Sequence, residues 1–384
     1  MEIRIVKSMS KIERDDWKPL ESRNFPFTDY DFLASLERSG SLGERTGWFP
    51  HFFAAYVDHR LIGALIAYLK TNSYGEYIFD WEWANGFHHH QIPYYPKLTS
   101  SIPFTPATGT KLLLHSDYDQ KEIREEVDKA LLSLVKSSSC SSIHHLFIPQ
   151  DELQAWQGSG YHLRYSQQYH WHNHAYQCFD DFLAKLKGKR AKEVRRERRQ
   201  IAEQGVAIEL LTGDSLDQMA SDRFYQFYLA TLDKKHGLDY LTQEFFRLVF
   251  QSMQDRIVLC VASYEGDWVA ASLSFQKGDH LYGRYWGSTA SFRSLHFELC
   301  YYQMIDYAIA KGLKLFEAGA QGRHKIQRGF VPSWTYSAHK IFHPAFDRAI
   351  AEYIREEKRI LDQAMEEDQN RSPYRPFISE KSPC

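Results

Sequence analysis

The sequence predicts an α/β (α+β) protein built from two similar units, each a mixed β-sheet with helices packed on it. The chain has 384 residues, enough for roughly two domains of about 150 residues each. Its composition, 43% apolar and 25% charged, is that of an ordinary globular protein. The same order of strands, a connection, a helix and two further strands occurs once in each half. The predicted units cover residues 1–178 and 206–346.

Alternating and helical spacing of apolar residues places the elements of the first unit. They are a strand at 3–6, a helix at 27–37, a hairpin at 52–57 and 61–70, a third strand at 76–82, a proline-broken connection, a helix at 121–136, and strands at 143–148 and 161–174. The second unit is predicted to repeat this order. Its elements are a hairpin at 257–264 and 268–277, strands at 280–287, 313–317 and 333–342, and a helix at 295–309. A basic helical connector at 179–205 joins the units, and a helix at 347–368 and a flexible tail at 369–384 follow.

The segment from Glu317 to Arg328 is the strongest candidate for an active site. Gly319 and Gly322 permit a sharp turn or a close backbone approach to a ligand. Cations follow within six residues, so the loop can hold an anion or stabilise a developing negative charge. A solvated basic loop is the plain alternative. The predicted substrate-binding residues of this loop are Gly319, Gln321, Gly322, Arg323, His324 and Arg328.

Two further groups of acids are candidate proton acceptors. On a strand at 76–82, Asp80 and Glu82 would point one way and Trp81 and Trp83 the other, which gives a pair of acids backed by two aromatic substrate contacts. Such a pair can accept a proton from an attacking amine, because one carboxyl raises the pKa of the other. Glu298, on the helix at 295–309, is a second candidate base. Surface acids are the alternative for both.

The connector carries nine cations and two acids between Lys185 and Arg199. Helical spacing places the cations in one stripe and leaves Ala191, Val194 and Ile201 to face the protein. Such a stripe can bind phosphates, although many basic helices are merely solvated. The predicted phosphate-binding or tRNA-binding residues are Lys189, Lys192, Arg195, Arg196 and Arg199.

Composition excludes several other functional classes. A net charge of −2 gives no signature of nucleic-acid or membrane binding over the whole chain. Five cysteines without a C-x-x-C spacing argue against a disulfide framework or a zinc ribbon. Three histidines at 170, 172 and 174 and three at 88–90 have spacings seen in metal sites, but nearby cysteine or carboxylate ligands are lacking, so we predict no metal. Since no long apolar run occurs, we expect no transmembrane segment and a cytoplasmic location.

The order of elements resembles the GNAT acyltransferase fold. Tandem units joined by Arg190-Ala-Lys-Glu-Val-Arg-Arg196 look like the Fem family of aminoacyl transferases, which transfer an amino acid from aminoacyl-tRNA to an amine of a peptidoglycan precursor. The turn Pro103–Gly109 is similar to a turn of that family, which implies substrate contacts at Thr108 and Gly109. The stretch His324–Phe330 loosely matches a family motif. By that match Lys325 takes the place of the lysine near the acyl-transfer centre.

A closer resemblance is to a bacterial family of N-acyltransferases assigned to peptidoglycan biosynthesis or recognition. It rests on four stretches: 79–85, 103–109, 295–302 and 317–325. The resemblance implies transfer of an acyl or aminoacyl group, from acyl-CoA or aminoacyl-tRNA as donor substrate, to an amine-bearing acceptor such as a peptidoglycan precursor. With it, Lys325, Glu317, Glu298, Asp80 and Glu82 are the expected catalytic residues, and no firm cofactor is expected. The alternative is a non-catalytic module of the same fold that recognises a glycan, a peptide or RNA.

Overall fold

The strands form two sheets in the computed structural model, which describes residues 1–235, 238–320 and 322–376. The strands are β1 (Glu2–Val6), β2 (Trp48–Pro50), β3 (Phe52–Val57), β4 (Arg60–Leu65), β5 (Tyr68–Lys70), β6 (Lys97–Ser100), β7 (Leu112–Leu114), β8 (Ser142–Ile148), β9 (His162–His172), β10 (Ala207–Leu211), β11 (Ile257–Tyr264), β12 (Asp267–Lys277), β13 (His280–Ser288), β14 (Leu315–Glu317) and β15 (Val331–Ile341). One sheet has the order β1-β3-β4-β7. The other has eleven strands in the order β10-β11-β12-β13-β14-β9-β15-β8-β6-β5-β2.

Helices cover these sheets and join the halves. They are α1 (Arg14–Trp17), α2 (Tyr30–Arg38), α3 (Trp81–His89), α4 (Gln120–Ser137), α5 (Leu153–Gly158), α6 (Phe179–Lys185), α7 (Gly188–Glu203), α8 (Gln218–Lys235), α9 (Gln243–Ser252), α10 (Leu295–Phe297), α11 (Gln303–Ala310) and α12 (Pro344–Asn370). A π-helical turn, Glu298–Tyr302, joins α10 to α11. Among the helices of the described ranges, none combines the length and apolar character needed to cross a bilayer.

The two halves have matching strand orders, which confirms the tandem GNAT-like fold. In the first half β6 pairs in parallel with β8, and in the second half β13 pairs in parallel with β14. Each parallel pair is then extended by an antiparallel strand: β15 on β8, and β9 on β14. The predicted hairpins are present as β3 with β4 and β11 with β12. The repeated order read from the sequence is therefore a repeat in space.

The two-unit fold is confirmed, and one correction within it concerns the last strand of each half, which pairs with strands of the other half as well as with its exchanged partner. Strand β9 belongs to the first half in sequence but pairs with β14 of the second, and β15 pairs with β8 of the first. The exchanged strands also pair with each other, from Val331 opposite His170 to His339 opposite His162. This long antiparallel pairing satisfies edge groups that two separate sheets would expose. It makes the eleven-stranded sheet continuous between the halves, while β1, β3, β4 and β7 form the separate four-stranded sheet.

A second correction concerns the predicted third strand at 76–82. The chain there turns through Gly75 and Tyr77, both with positive φ, and helix α3 begins at Trp81. Trp83 and Phe87, four residues apart, then bury one face of that helix against α12. The strand that pairs with β5 is instead β6, inside the proline-rich connection where no element was predicted. Alternating polarity in a short segment is ambiguous until its tertiary contacts are known.

The sequence also missed α8 and α9, which lie between β10 and β11. Their apolar side chains, including Phe224 and Phe246, belong to the same core as β11 and β12. The connector forms two helices, α6 and α7, rather than one. The C-terminal helix α12 extends beyond the predicted 347–368. Of the predicted tail, residues 377–384 lie outside the described residues, whereas Tyr374 forms a bridge with Leu186.

Candidate active site

Glu317 ends β14, at the place where segments of both halves meet. It pairs with His170 across the sheet, and only 4% of its surface is exposed. Its Oε2 accepts a hydrogen bond from the backbone N–H of Thr108 (3.3 Å) and lies 4.0 Å from Nε2 of His170. Thr108 lies in the first half, 209 residues earlier in the chain. The carboxylate therefore binds a backbone donor contributed by the other unit.

Burial is the main cause of the raised pKa of Glu317. Burial raises the pKa of the carboxyl to about 7, although the Thr108 amide and the charges of Lys111 and Arg284 lower it. A carboxyl that titrates near neutral pH can take up a proton from an amine and release it again. Acid–base residues of active sites have this property, so Glu317 stays a candidate catalytic residue.

Lys111 is a buried residue of this region that the sequence analysis missed. Its ammonium donates to the carbonyl oxygens of Gly109 (2.6 Å) and Phe147 (2.6 Å), and burial lowers its pKa to about 7. A lysine directly before the apolar strand β7 was the available signal, because a charge at the start of a buried strand needs a partner. We call Thr108, Gly109, Lys111, Arg284 and Glu317 the inter-unit site.

The inter-unit site has a partly exposed edge. Thr108, Gly109 and Arg284 are half-buried, as are Ala318 and Gly319 directly after Glu317. Arg284 of β13 donates to the carbonyl oxygen of Phe104 (2.5 Å), which is another hydrogen bond between the halves at this place. The buried carboxylate therefore lies beneath a half-exposed edge of backbone that both halves contribute.

Lys325 lies in a 3₁₀ helix, Arg323–Arg328, within the β14–β15 loop (residues 318–330). Only 2% of its surface is exposed. Its Nζ donates to the carbonyl oxygen of Gly319 (2.7 Å) rather than to Glu317. Burial lowers the pKa of Lys325 to about 8, and the nearby Cys300 opposes this shift. The ammonium is therefore close to the turn that follows Glu317.

The other cations of the β14–β15 loop already have partners. Nε of Arg323 donates to Asp368 of α12 (2.8 Å). Arg328 makes two hydrogen bonds to Glu197 of α7 (2.7 and 3.2 Å). His324 is exposed, and its Nε2 lies 2.9 Å from the hydroxyl of Tyr301. Two of the four cations therefore hold the loop to helices.

Gly319 and Gly322 have φ of +81° and +120°, which confirms the predicted sharp turns. A side chain on Gly322 would collide with the ring of His324. The third predicted contact between them, Gln321, lies outside the described residues.

Glu298 begins the π-helical turn and is buried, with 3% of its surface exposed. Its Oε1 accepts hydrogen bonds from Arg198 of α7 (3.2 Å) and Gln303 (2.7 Å). Burial raises its pKa, while Arg198 lowers it. These contacts assign Glu298 a role in holding α7 to the second half.

Asp80 and Glu82 do not form the predicted pair of acids on one strand face. Asp80 precedes α3 and is buried, and its carboxylate contacts the ammonium of Lys97, which also binds Glu76 (2.8 Å). Glu82, in the first turn of α3, is exposed. The error follows from the missed helix, because side chains two apart face the same way on a strand but not on a helix.

The two tryptophans differ in the same way. Trp83 is buried against His339 (5.0 Å between ring centroids), whereas Trp81 is half-buried and contacts Tyr74 (4.9 Å). The residues 80–83 are therefore split between the core and the surface.

The predicted basic stripe is on the outer face of α7. Lys189, Lys192, Arg195, Arg196 and Arg199 are all exposed. Arg195 pairs with Asp180 (3.2 Å), and Arg199 approaches Glu203 (3.9 Å). Within the described part of the chain, no carboxylate lies at ion-pair distance from the other three cations. The inner face of α7 contacts the β14–β15 loop through Glu197.

The histidines do not form a metal site in the described ranges. His170 is buried next to Glu317, whereas His172 and His174 are exposed, as are His88, His89 and His90. No group of three or more histidine, cysteine or acidic side chains there has a metal-binding arrangement. The sequence analysis missed a buried histidine pair, His144 and His339, whose Nδ1 atoms are 2.7 Å apart.

The comparisons with known proteins agree with this architecture. A sequence profile of the FemAB-like family, whose description is peptidoglycan biosynthesis/recognition, matches residues 8–376. The crystal structure of FemX is similar over 91% of this chain and 100% of that one, at 12% identity and a TM-score of 0.54.

Two further solved structures have a similar fold: a domain of a putative lysylphosphatidylglycerol synthetase and a protein described as L-PGS. For the C-terminal domain of the putative Agrobacterium fabrum protein, identity is 8%, coverage 90% of this chain and 97% of that one, and the TM-score 0.52. For L-PGS from Bacillus licheniformis, sequence identity is 11%, coverage is 84% of this chain and 95% of that one, and the TM-score is 0.50. No curated protein shows a significant sequence match.

Proposed function

This chain belongs to the FemAB-like family of peptidoglycan biosynthesis/recognition proteins, and on that premise we propose that it is an N-acyltransferase. The observation that carries the proposal is the buried carboxyl of Glu317, which has a pKa of about 7 and meets a backbone segment of the other half. Such a group suits the transfer of an acyl group to an amine, because the amine must lose a proton as it attacks.

In the proposed reaction an amine nitrogen attacks the carbonyl carbon of an activated acyl or aminoacyl donor. A C–N bond forms, and the C–O bond of an ester or the C–S bond of a thioester breaks. Glu317 accepts the proton that the amine loses and returns it to the leaving oxygen or sulfur. Lys325 lies close to Gly319 and supplies positive charge for the oxyanion of the tetrahedral intermediate.

The outer face of α7 supports aminoacyl-tRNA as the donor over acyl-CoA. The exposed cations from Lys189 to Arg199 extend over about 15 Å of helix, at 1.5 Å per residue, which fits a phosphate backbone better than a single compact cofactor. Helix α7 also binds the β14–β15 loop through Glu197 and Arg328. A tRNA bound there would lie on the opposite face of α7 from the loop that carries Lys325, at a separation of about one helix diameter, roughly 10–12 Å. The family description supports a peptidoglycan precursor as the amine-bearing acceptor.

The first test is a binding screen by thermal shift against acyl-CoAs, aminoacyl-tRNAs and muropeptide precursors, since a ligand of the folded state raises Tm. Turnover is then measured for donor and acceptor pairs that bind. We expect Glu317→Gln to lower kcat by on the order of 10²-fold or more. The matched control is Glu82→Gln, which changes an exposed acid in the same way. Normal turnover by Glu317→Gln contradicts the proposal, and binding without turnover by the wild type indicates a binding module.

A further inference from the structure

We propose that Lys111 is a positioning residue for Glu317: its ammonium holds the Thr108–Gly109 backbone against the Glu317 carboxylate. This inference rests on the proposed function for the catalytic meaning of Glu317. The effect of Lys111 on the pKa of Glu317 is argued from the contacts of the inter-unit site alone.

The ammonium of Lys111 joins two segments of the first half. It donates to the carbonyl oxygen of Gly109 and to that of Phe147, each at 2.6 Å. The N–H of Gly109 also donates to Phe147 (3.1 Å). The other side of Gly109 lies against the ring of Phe25, where any side chain would collide with it. The backbone at Gly109 is thus fixed from two sides, and the preceding N–H, of Thr108, faces Glu317.

The hydrogen bond from a buried lysine to a backbone carbonyl recurs in the second half, near the end of its parallel ladder. The parallel ladder β6–β8 ends with Ser100 opposite His145, and the ladder β13–β14 ends with Tyr282 opposite Glu317. Two residues further along, Phe147 and Gly319 both have positive φ, +51° and +81°. A buried lysine donates to each of these carbonyls, Lys111 in one half and Lys325 in the other.

This recurrence indicates that each lysine stabilises an irregular backbone position beside the end of a parallel ladder: Phe147 is the extra residue of a β-bulge in β8, and Gly319 lies in the loop directly after β14. A non-glycine residue at positive φ is strained, so the surrounding contacts must hold the backbone at Phe147 in place. Beside the Gly109 N–H, Lys111 supplies a second donor to the Phe147 carbonyl, and its charge-assisted hydrogen bond is stronger than a neutral one. In the first half, Lys111 also fixes the backbone whose Thr108 N–H donates to the Glu317 carboxylate.

Charged and titratable groups face Glu317 from three directions. His170 lies on β9 at 4.0 Å, Arg284 and Tyr282 belong to β13, and Lys111 comes from the first half. The charges of Lys111 and Arg284 and the Thr108 amide favour the ionised carboxylate, whereas burial opposes it. Replacing Lys111 by a neutral apolar side chain removes its charge and releases the segment that holds the Thr108 amide. The pKa of Glu317 must then rise.

The experiment measures the protonation of Glu317 directly in the full-length protein. The infrared absorption of the protonated carboxyl is followed against pH, and the spectrum of Glu317→Gln is subtracted to isolate this one group. We expect Lys111→Met to raise the titration midpoint by about one pH unit or more, which is a tenfold or larger change in the ionisation constant. Lys111→Gln, which keeps a donor but loses the charge, should shift it in the same direction and serves if the methionine variant does not fold.

Lys70→Met is the matched control. Lys70 is also fully buried and donates to a backbone carbonyl, that of Tyr74 (3.1 Å), but its charged neighbours are Glu76, Lys97 and Asp80 rather than Glu317. We expect it to leave the Glu317 midpoint unchanged. An unchanged midpoint in both folded Lys111 variants overturns the proposal.

A kinetic measurement separates this inference from the proposed function. In the wild type and in Lys111→Met, the acidic limb of kcat/KM should follow the spectroscopic midpoint of Glu317. If the midpoint moves in Lys111→Met but Glu317→Gln turns over normally, the positioning of the carboxyl by Lys111 is supported, whereas the proposed catalytic role of Glu317 fails. If the midpoint is unmoved but Glu317→Gln is inactive, the catalytic role of Glu317 is supported, whereas the positioning of its carboxyl by Lys111 fails.

Discussion

Arg328 and Glu197 form a buried ion pair that joins the β14–β15 loop to helix α7. The guanidinium makes two hydrogen bonds to the carboxylate, at 2.7 and 3.2 Å, and both side chains are less than a tenth exposed. The hydroxyl of Tyr302 donates to the same carboxylate. A pair buried in this way fixes the loop that carries Lys325 against the helix that carries the basic stripe.

Removal of one partner of this pair should destabilise the protein strongly. Arg328→Met leaves the Glu197 carboxylate buried without its cation, which costs about 3–5 kcal/mol. Urea denaturation measures the change. Arg195→Met is the control, because Arg195 pairs with Asp180 on the exposed side of α7 and should cost less than about 1 kcal/mol. Similar losses in the two variants would mean that the buried pair contributes little.

Neutral substitution of the two acids near the start of α3 should change folding stability to very different extents. Asp80→Asn removes a charge that compensates the fully buried Lys97, so we expect a loss of about 3 kcal/mol or more in the free energy of unfolding. Glu82→Gln changes an exposed side chain and should stay within about 0.5 kcal/mol of the wild type. Chemical denaturation of both variants tests this, and equal effects would contradict the assignment of Asp80 to the core.

Glu317 should make folding stability depend on pH. Its pKa is raised from 4.5 in the unfolded chain to about 7 in the folded protein, so the folded state binds more protons between these values. The stability of the wild type relative to Glu317→Gln should therefore be highest below about pH 4.5 and fall as pH rises to about 7. The total fall is up to about 3 kcal/mol. Unfolding measured at several pH values checks this, and a difference that is flat with pH would show that Glu317 titrates normally.

Charge reversal on the outer face of α7 should weaken binding of tRNA. We expect the triple variant of Lys189, Lys192 and Arg196 to glutamate to lower affinity at low salt and to reduce the salt slope by about two to three. The fold should persist, because the three side chains are exposed. The control reverses three exposed lysines elsewhere, Lys11, Lys18 and Lys121. If both triple variants bind alike, α7 is only a solvated basic helix.

Lys325→Met should separate catalysis from binding. If the ammonium stabilises charge that develops only in the transition state, kcat falls by on the order of 10²-fold or more while donor affinity changes little. The measurement is the Kd of a donor found in the binding screen, together with kcat at saturating acceptor. Wild-type turnover would exclude the oxyanion role. A parallel loss of affinity and kcat would assign Lys325 to the structure of the β14–β15 loop, through its bond to Gly319.

The sequence alone was sufficient for several local elements of the tandem fold, although it missed α8, α9 and β6 and predicted a strand at 76–82 where α3 begins. Apolar runs separated by turn residues located β3, β4, β11 and β12, and helical spacing located α4, because these patterns depend on neighbours in the chain. The sequence also predicted the cation stripe of α7, since its five side chains are exposed and their positions follow from helix geometry alone. The turns at Gly319 and Gly322 followed from the lack of a side chain.

Only the tertiary structure decided which strands pair with each other and which charged side chains are in contact. The exchange of β9 and β15 depends on pairing between residues far apart in sequence, and the local pattern of a strand does not specify its neighbour. Asp80 changed from a candidate base to the partner of Lys97, and Arg328 from a substrate contact to the partner of Glu197. Lys111 joined Glu317 at the inter-unit site across 206 positions of the chain. Burial and charge pairing depend on the packed environment, and they determined which of the candidate ionisable groups has a pKa near neutrality.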